Sequence, residues 1–360
     1  MDLTKKYSIK RIKHLILSTL FVALSWVALP SCDTIFDDEG DCNPYFYLQF
    51  VFERNMYYND DYQVGADAFP AQVSSVDVYV FKAATGEFVA HFEDKGEALR
   101  QPDYRLPMLI DPGEYEIIAW CGLADNEGHF TVPATVSNST ELKCRMARSV
   151  DDEGITFSQS NLHALFHGRL FHEYPDEEGE HYATCYLTKD TNYIQLDVQH
   201  HAGELDPKRF IITLDDCNGY LAHDNDVLED ETIQYRPWAT RSGYVDDDWE
   251  GRAVPEPDDY NTHYLVAELA TSRLTKNSKA RLTVTDLEAE RVVFSIPLVD
   301  YLLMMKSKRY AALDDQEYLD REDEYNIMVL LENQDDEGWV AVKLVINGWH
   351  LTDNGNIPLQ

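Results

Sequence analysis

Short runs of alternating apolar and polar residues recur along most of this chain, and this period of two constrains the fold more than any other feature. In residues 194–199, isoleucine, leucine and valine alternate strictly with glutamine and aspartate. Because successive side chains of a strand point to opposite faces of a sheet, such a run is typical of a half-buried strand. Further strand-like runs cover residues 76–81, 115–120, 210–214, 282–284, 292–296, 327–331 and 340–346. Strands at these intervals, with turn residues between them, predict an all-β protein of antiparallel sandwiches.

Helical signals are confined to two short segments. Asn138 is followed three residues later by Glu141, an arrangement that caps helices, and the apolar Leu142 and Met146 come next. Pro297 stands where proline favours the start of a helix, before leucine and tyrosine residues at helical spacing. We therefore expect one short helix in each place.

The first 31 residues have the pattern of a secretory signal peptide. Five basic residues lie within the first thirteen positions, and an uncharged, mostly apolar run follows at residues 15–29. A basic start, an apolar centre of this length and a small residue before a cleavage site are typical of such signals. The run is shorter than the ~20 apolar residues that a membrane-spanning helix needs. An uncleaved signal anchor is the alternative interpretation.

The end of this segment is similar to a bacterial lipobox. Leu29, Ser31 and Cys32 fit that pattern, in which the cysteine becomes the acylated N-terminus, whereas Pro30 departs from it. Residues 32–43 are rich in acidic side chains, a composition typical of a solvated tether. We therefore predict an outer-membrane lipoprotein with its lipid, such as palmitate, on Cys32.

The length of 360 residues indicates two domains, at roughly 150 residues each. An acidic band at residues 172–181 contains both proline and glycine, and we interpret it as a loop that leads to a domain boundary. The predicted domains are residues 44–183 and 184–360. A second acidic stretch, residues 245–259, is predicted to be a surface loop of the second domain.

The charge balance excludes partners that carry a phosphate backbone. Asp and Glu number 65 against 30 Lys and Arg, a formal net charge of −35. Residues 1–31 contain five basic residues and one acidic residue, so removal of their net +4 leaves a body near −39. Such a surface repels nucleic acid, and we expect no nucleic-acid partner.

The sequence contains no motif for catalysis or cofactor binding. It lacks a nucleophile elbow, a zinc-protease motif and a phosphate-binding loop. A histidine cluster at residues 163–181 precedes Cys185, but nearness in sequence does not establish a Cys–His pair. His200 and His201 would point to opposite faces of a strand and are poorly placed to share a metal. We therefore predict no catalytic residue, no cofactor and no metal site.

Two further patterns leave alternatives open. Residues 246–251 resemble the opening of a calcium loop, but Pro257 stands where a bidentate glutamate is expected. A solvated acidic loop is the simpler interpretation, with weak calcium binding left open.

The six cysteines have no zinc-type spacing, and acylation of Cys32 would leave five. Cys121 fits a small core residue, and no disulfide pairing is readable.

A succession of short segments, in order over nearly the whole chain, resembles one known family. The segments are residues 32–42, 47–56, 67–69, 73–81, 111–115, 119–120, 165–168, 187–189, 192, 218–220, 235–237, 317–322 and 347–349. Each is a common strand or turn sequence, so their order carries the likeness. On these segments the chain resembles the FimB-like fimbrial anchor and minor-subunit lipoproteins of the Bacteroidales, which belong to type V fimbriae.

The resemblance implies two tandem transthyretin-like β-sandwich domains and a non-enzymatic lipoprotein that anchors, or terminates, a fimbrial polymer at the outer membrane. Its partners would be pilin subunits, bound along a sheet edge or in a groove by strand complementation. The alternating C-terminal stretch is the predicted contact, with Trp339, Val340, Val342, Leu344, Ile346 and Trp349 as candidate residues. An internal strand of the second domain is the alternative interpretation of this stretch.

A second function class stays open beside the anchor. A surface lipoprotein that binds a glycan or another ligand through a sandwich face would also need no catalytic group, and the chain has 22 tyrosines. A glycan binder should expose coplanar aromatic rings in a groove. An anchor should instead offer an unprotected sheet edge or groove.

Overall fold

The computed structural model describes residues 44–61, 63–200, 205–245, 262–334, 338–347 and 349–351. The predicted signal peptide, Cys32 and the whole acidic tether, residues 32–43, lie outside these residues. The calcium-like residues 246–251 also lie outside them. The described residues within 45–176 and 180–360 belong to one compact unit.

Strands make up most of the first half of the described chain. They are β1 (Pro44–Val51), β2 (Ser75–Lys82), β3 (Phe88–Lys95), β4 (Leu106–Met108), β5 (Gly113–Cys121), β6 (Phe130–Thr131), β7 (Cys144–Met146), β8 (Ser149–Val150), β9 (Thr156–Ser158), β10 (Phe166–Tyr174) and β11 (Gly179–Lys189).

The second half is equally rich in strands. They are β12 (Thr191–His200), β13 (Phe210–Asp216), β14 (Tyr220–Leu221), β15 (Ile233–Tyr235), β16 (Ala239–Val245), β17 (Thr262–Ser272), β18 (Arg281–Asp286), β19 (Arg291–Pro297), β20 (Glu324–Gln334), β21 (Gly338–Ile346) and β22 (Trp349–Leu351).

Helices are short and few among the described residues. The α-helices are α1 (Phe69–Gln72), α2 (Leu298–Met304) and α3 (Asp315–Arg321), and the 3₁₀ turns are Glu97–Arg100, Ser139–Glu141 and Lys308–Tyr310.

These strands form four sheets. In hydrogen-bonded order they are β3-β2-β5-β10-β11-β1-β4, β16-β17-β12-β20-β21-β22, β19-β18-β13-β15-β9-β8 and β14-β7-β6. The predicted all-β fold is confirmed. The sheets are not purely antiparallel, however, because β12 pairs with β20 in parallel and β9 pairs with β15 in parallel. A parallel pair requires a long crossover, and most strands between β12 and β20 in sequence belong to the opposite six-stranded sheet.

Two clusters of buried side chains stabilise these sheets. One contains residues of the seven-stranded sheet such as Leu48 and Ile117. The other contains residues of both six-stranded sheets, such as Leu196 and Leu282, which therefore pack face to face. Strand β5 contributes to both clusters, because Ile117 lies in the first and Ile118 in the second. Burial of both faces explains why β5 has a continuous apolar run instead of alternation.

The predicted boundary between residues 183 and 184 lies inside β11. Two strands from the first half of the chain, β8 and β9, pair in the same sheet as β13 and β18. The division of the chain into two domains at this point stays a prediction. The loop predicted at residues 172–181 is wrong in extent, because β10 ends at Tyr174 and β11 begins at Gly179.

Of the two predicted helices, one is confirmed and one is wrong. Pro297 is the N-cap of α2, as its position predicts. The Asn138 side chain does accept a hydrogen bond from Thr140 N at 3.2 Å, but it caps only the 3₁₀ turn Ser139–Glu141. The chain then returns to a strand, because β7 pairs with both β6 and β14.

A buried charged cluster fixes the passage from β11 to β12. Asp190, the single residue between the two strands, is 0% exposed. Arg273 Nη2 donates to Asp320 Oδ1 at 2.8 Å and to Oδ2 at 2.9 Å, and Arg273 Nε lies 3.8 Å from Asp190 Oδ1. Asn225 Nδ2 donates to Asp190 Oδ1 at 2.9 Å. The cluster therefore joins the β11–β12 connection to the residue after β17, to α3 and to the loop after β14.

We expect Arg273→Met to lower the free energy of unfolding by about 3–5 kcal/mol, because it would leave two buried carboxylates without their counterion. Arg241→Met is the matched control: Arg241 pairs with Glu268, but its side chain is 57% exposed. The loss for the control should stay within about 1 kcal/mol. Urea denaturation measures both values, and equal losses would contradict the role given to Arg273.

Stability should also depend on pH through Asp190. Burial raises the pKa of Asp190 to about 7, although Arg273 lowers it. A carboxyl with a raised pKa in the folded state contributes stability below its unfolded pKa, near 4, and loses that contribution as pH rises through 7. Asp190→Asn should therefore become more stable relative to the parent protein between pH 4 and 7. Urea denaturation across this pH range tests the expectation, and a constant difference in the free energy of unfolding between the two proteins would contradict it. Burial also raises the pKa of Glu322 to about 7, but this residue is present in both proteins and its contribution cancels.

Candidate subunit interface

The predicted C-terminal contact forms strand β21. Trp339, Leu344 and Ile346 are 6%, 1% and 2% exposed, and Val342 is half-buried. The backbones of Val340 and Trp349 lie in β21 and β22, but their side chains are outside the described part of the structure. The described candidate side chains thus lie largely within the core.

Hydrogen bonds and ring contacts hold β21 in the sheet. It pairs with β20 over its length and with β22 at residues 344–346. The ring of Trp339 packs edge-on against His200 with centroids 4.3 Å apart, and Arg291 Nη2 donates to Trp339 O at 2.6 Å. β21 is therefore an internal strand near its C-terminal end, in line with the alternative interpretation. Its role as a subunit contact stays a prediction.

Other strands offer sheet edges. In the described residues the outermost strands of the three large sheets are β3, β4, β16, β22, β19 and β8. Of these, β3 has eight residues, and β16 and β19 have seven each. Backbone N–H and C=O groups on an edge are available to a strand from another chain. The longer edges are therefore the better places to look for a subunit contact.

The histidine and cysteine positions do not form a nucleophilic site in the described residues. Burial lowers the pKa of His167 to about 3, so this ring is neutral, and its Nε2 donates to His223 O at 3.0 Å. Burial also raises the pKa of the Cys185 thiol to about 12 and that of Cys121 well above its usual value. These cysteines stay protonated at neutral pH, and the thiol form is a poor nucleophile.

The described cysteines and metal-ligating side chains form neither a disulfide nor a metal cluster. Within the described ranges, no three histidine, cysteine, aspartate or glutamate side chains lie close enough together to hold a metal ion. Cys121, Cys144 and Cys185 are buried free thiols, and Cys217 is an exposed one. Among the described helices, none combines the length and the apolar character needed to cross a membrane.

Exposed aromatic residues do occur on the seven-stranded sheet, as a glycan platform would require. Tyr47 and Tyr182 stack with ring centroids 5.5 Å apart, and the Arg105 guanidinium lies 4.7 Å from the centroid of Tyr47 and 5.4 Å from that of Tyr182. Because these rings contact each other and Arg105, they do not form an open coplanar surface. This arrangement gives the glycan alternative no particular support.

Comparisons with known proteins agree with the fold. The sequence profile of the family described as "Mfa2: Fimbrillin-A associated anchor proteins Mfa1 and Mfa2" matches residues 38–355. No curated protein sequence matches the chain.

Solved structures that are similar to this chain include two from Bacteroides thetaiotaomicron and one from Porphyromonas gingivalis. A provisionally assigned adhesin from Bacteroides thetaiotaomicron VPI-5482 is 29% identical, with a TM-score of 0.70, over 88% of this chain and 100% of that one. A provisionally assigned polysaccharide-binding protein from the same organism is 26% identical, with a TM-score of 0.68, over 86% and 97%. The fimbrial anchor protein Mfa2 from Porphyromonas gingivalis is 18% identical, with a TM-score of 0.62, over 86% and 99%.

At 18% identity the last likeness shows a shared fold alone, whereas the profile match covers most of the chain. The resemblance to fimbrial anchor proteins seen in the sequence is confirmed. The chain belongs to the family of fimbrillin-A associated anchor proteins Mfa1 and Mfa2.

Proposed function

We propose that this protein is a non-enzymatic lipoprotein that anchors, and thereby can terminate, a fimbrial polymer at the outer membrane. A lipid on Cys32 would hold it to the membrane, residues 32–43 would act as a spacer, and the β-sheet body would bind a pilin subunit. The proposal includes two transthyretin-like domains and exposure on the cell surface.

The family match over residues 38–355 is the observation that carries this proposal. The Mfa2 anchor from P. gingivalis has the same fold over 86% of the chain, which supports an anchor body of this architecture. The N-terminal sequence supports the membrane end, because a basic segment, an apolar run and a lipobox-like Cys32 follow in the order that lipoproteins require.

The geometry of the body is compatible with this role. An anchor has to hold its partner without doing chemistry, and burial keeps the thiols of Cys121 and Cys185 inert. It also needs backbone groups that a subunit can reach, and the edges of the large sheets supply them.

A deletion strain of the source bacterium tests the function. We expect electron microscopy to show fimbriae shed into the medium or changed in length, with attachment restored by the parent gene. Cys32→Ala should not restore attachment and should incorporate no labelled palmitate, because it lacks the predicted acylation site. Cys217→Ala, which removes an exposed free thiol, is the matched control and should restore attachment. Fimbriae that stay attached and unchanged in the deletion strain would overturn the proposal.

The C-terminal contact has its own test. Truncation from Asn347 onwards removes β22 and the hydrogen bond from Asn347 N to Asn326 O. If residues 339–349 form the subunit contact, the truncated protein should lose pilin binding in a pull-down while it still unfolds cooperatively. Val342→Lys, at a half-buried position of β21, provides a second variant if the truncated chain fails to fold. Normal pilin binding by both folded variants would exclude this stretch.

A further inference from the structure

A cavity of about 680 Å³ opens between two sheet edges. Its wall includes Glu93, Asp94 and Lys95 from the end of β3, and Phe130 and Thr131 from β6. In the described residues, β3 is the outermost strand of the seven-stranded sheet and β6 is the outermost strand of the three-stranded sheet. The edge strands β3 and β6 of two different sheets therefore line the same cavity.

The backbone of β3 is available along most of this edge. Gly96 N donates to Ser74 O at 2.9 Å, so these two residues form a hydrogen-bonded pair at the end of the β2–β3 ladder. Because bonded and non-bonded pairs alternate in an antiparallel ladder, Glu93 and Lys95 direct their N–H and C=O groups away from β2. Lys95 N already donates to Asp94 Oδ1 at 2.8 Å. The start of the edge is also covered, where Phe88 N donates to Ser137 O at 3.0 Å. Beyond Phe88, no strand of the described chain pairs with this side of β3.

The cavity wall is acidic. It carries four carboxylates, Asp77, Glu93, Asp94 and Glu127, against one basic residue, Lys95, which gives a formal charge of −3. Asp77 on β2 stands directly opposite Glu93 on β3. Like charges at directly opposed positions destabilise a sheet. A cation placed between these two carboxylates would remove that repulsion.

Two of the four carboxylates have partners within the protein. Asp77 Oδ1 lies 3.4 Å from His91 Nε2, and Asp94 accepts a hydrogen bond from Tyr104 Oη at 2.9 Å. In the described part of the chain, no ion pair joins Glu93 or Glu127 to a basic side chain. These two are therefore the carboxylates best placed to bind an external cation.

The inner wall of the cavity is apolar apart from one hydroxyl. Phe130 is 4% exposed, and Leu123 and Val132 are half-buried. Ser75 also lies in the wall and is 3% exposed, and its Oγ has no hydrogen-bond partner in the described structure. An unsatisfied buried hydroxyl beside an open cavity is explained if a ligand group completes its hydrogen bonding. The wall therefore suits a ligand with both apolar and polar groups.

We propose that this cavity binds an extended, lysine- or arginine-bearing segment of a fimbrial subunit. The backbone of the segment pairs with β3, an apolar side chain contacts Phe130 and the half-buried Leu123 and Val132, and basic side chains meet Glu93 and Glu127. A second copy of this chain is disfavoured as the occupant, because its net charge of −35 would repel the acidic wall. The identity of the partner rests on the proposed anchoring function.

Binding is measured with a short synthetic peptide of alternating lysine and valine, titrated calorimetrically into the purified full chain. Asp77→Asn and Glu93→Gln should each weaken binding about threefold to fivefold, the effect of losing one partly exposed charge interaction. Glu93→Gln removes the repulsion from Asp77 without removing an ion pair of the described residues, so this variant should unfold at the parent temperature or above. Glu173→Gln, an exposed carboxylate on β10, is the matched control and should leave binding unchanged.

Two further peptides test the pairing and the charge. N-methylation of alternate backbone nitrogens, which removes the donors that face β3, should weaken binding about tenfold through lost hydrogen bonds. A glutamate–valine peptide should not bind. Unchanged binding of the N-methylated peptide, equal binding of the acidic peptide or an unchanged affinity of the two carboxylate variants would overturn the proposal.

Fimbrial retention by intact cells distinguishes this proposal from the anchoring function on which it rests. The double variant Asp77→Asn/Glu93→Gln should release fimbriae that the parent retains. Retention by the double variant, in a background where gene deletion causes shedding, would overturn the cavity as the docking site and leave anchoring intact. Retention in the deletion strain would overturn anchoring itself. A dimer of the purified chain that the double variant loses would assign the cavity to a second copy and overturn the subunit as its occupant.

Discussion

The buried pairing of Arg273 with Asp190 and Asp320 is the interaction on which the rest of the structure depends. The chain passes from the seven-stranded sheet to a six-stranded sheet through Asp190 alone. The backbone conformation of this one residue therefore sets the orientation of β12 relative to β11. Asp190 N donates to Leu165 O at 2.7 Å, and Lys189 at the end of β11 pairs with Asp323, just before β20. Charges are expensive to bury, and an apolar cluster of equal volume is often at least as stable. The charged cluster adds geometric specificity, because each carboxylate accepts hydrogen bonds only from donors that lie at defined angles.

Strand β5 connects the two buried clusters of the protein. Its alternate residues belong to different cores, and β2 behaves in the same way, since Val78 lies in one cluster and Tyr79 in the other. Segments that come early in the sequence, such as β7 with Cys144 and Met146, add to the same core as the two six-stranded sheets. The described sheets are therefore coupled through shared side chains as well as through the β11–β12 connection. Such coupling would spread a force applied at one sheet over both cores.

Local patterns in the sequence predicted the strands well, whereas contacts between distant residues could not be predicted. Alternation at residues 194–199 identifies β12 because one face of that strand is buried and the other is not. The helix expected after Asn138 fails because pairing of β7 on both sides outweighs a local cap. Helix α3, which the sequence analysis did not predict, begins at a local cap, because Asp314 accepts from Gln316 N at 2.7 Å. The cluster at Arg273 and the cavity beside β3 bring together residues from separate strands and loops. No spacing rule in a single sequence connects such residues.

An open strand edge is normally a liability, because it invites pairing with copies of the same chain. The acidic residues around β3 offer a physical solution to this problem. Asp77 opposite Glu93 weakens the β2–β3 pair slightly, but the same charges repel any other copy of a chain that carries −35 overall. Repulsion of this kind depends on the charge of the incoming strand, so it is absent for a cationic one. A strand edge surrounded by negative charge therefore disfavours pairing with another copy of this chain, but it does not disfavour pairing with a positively charged partner strand. This selectivity requires no conformational change, and it follows from the same excess of carboxylates that led us to expect no nucleic-acid partner.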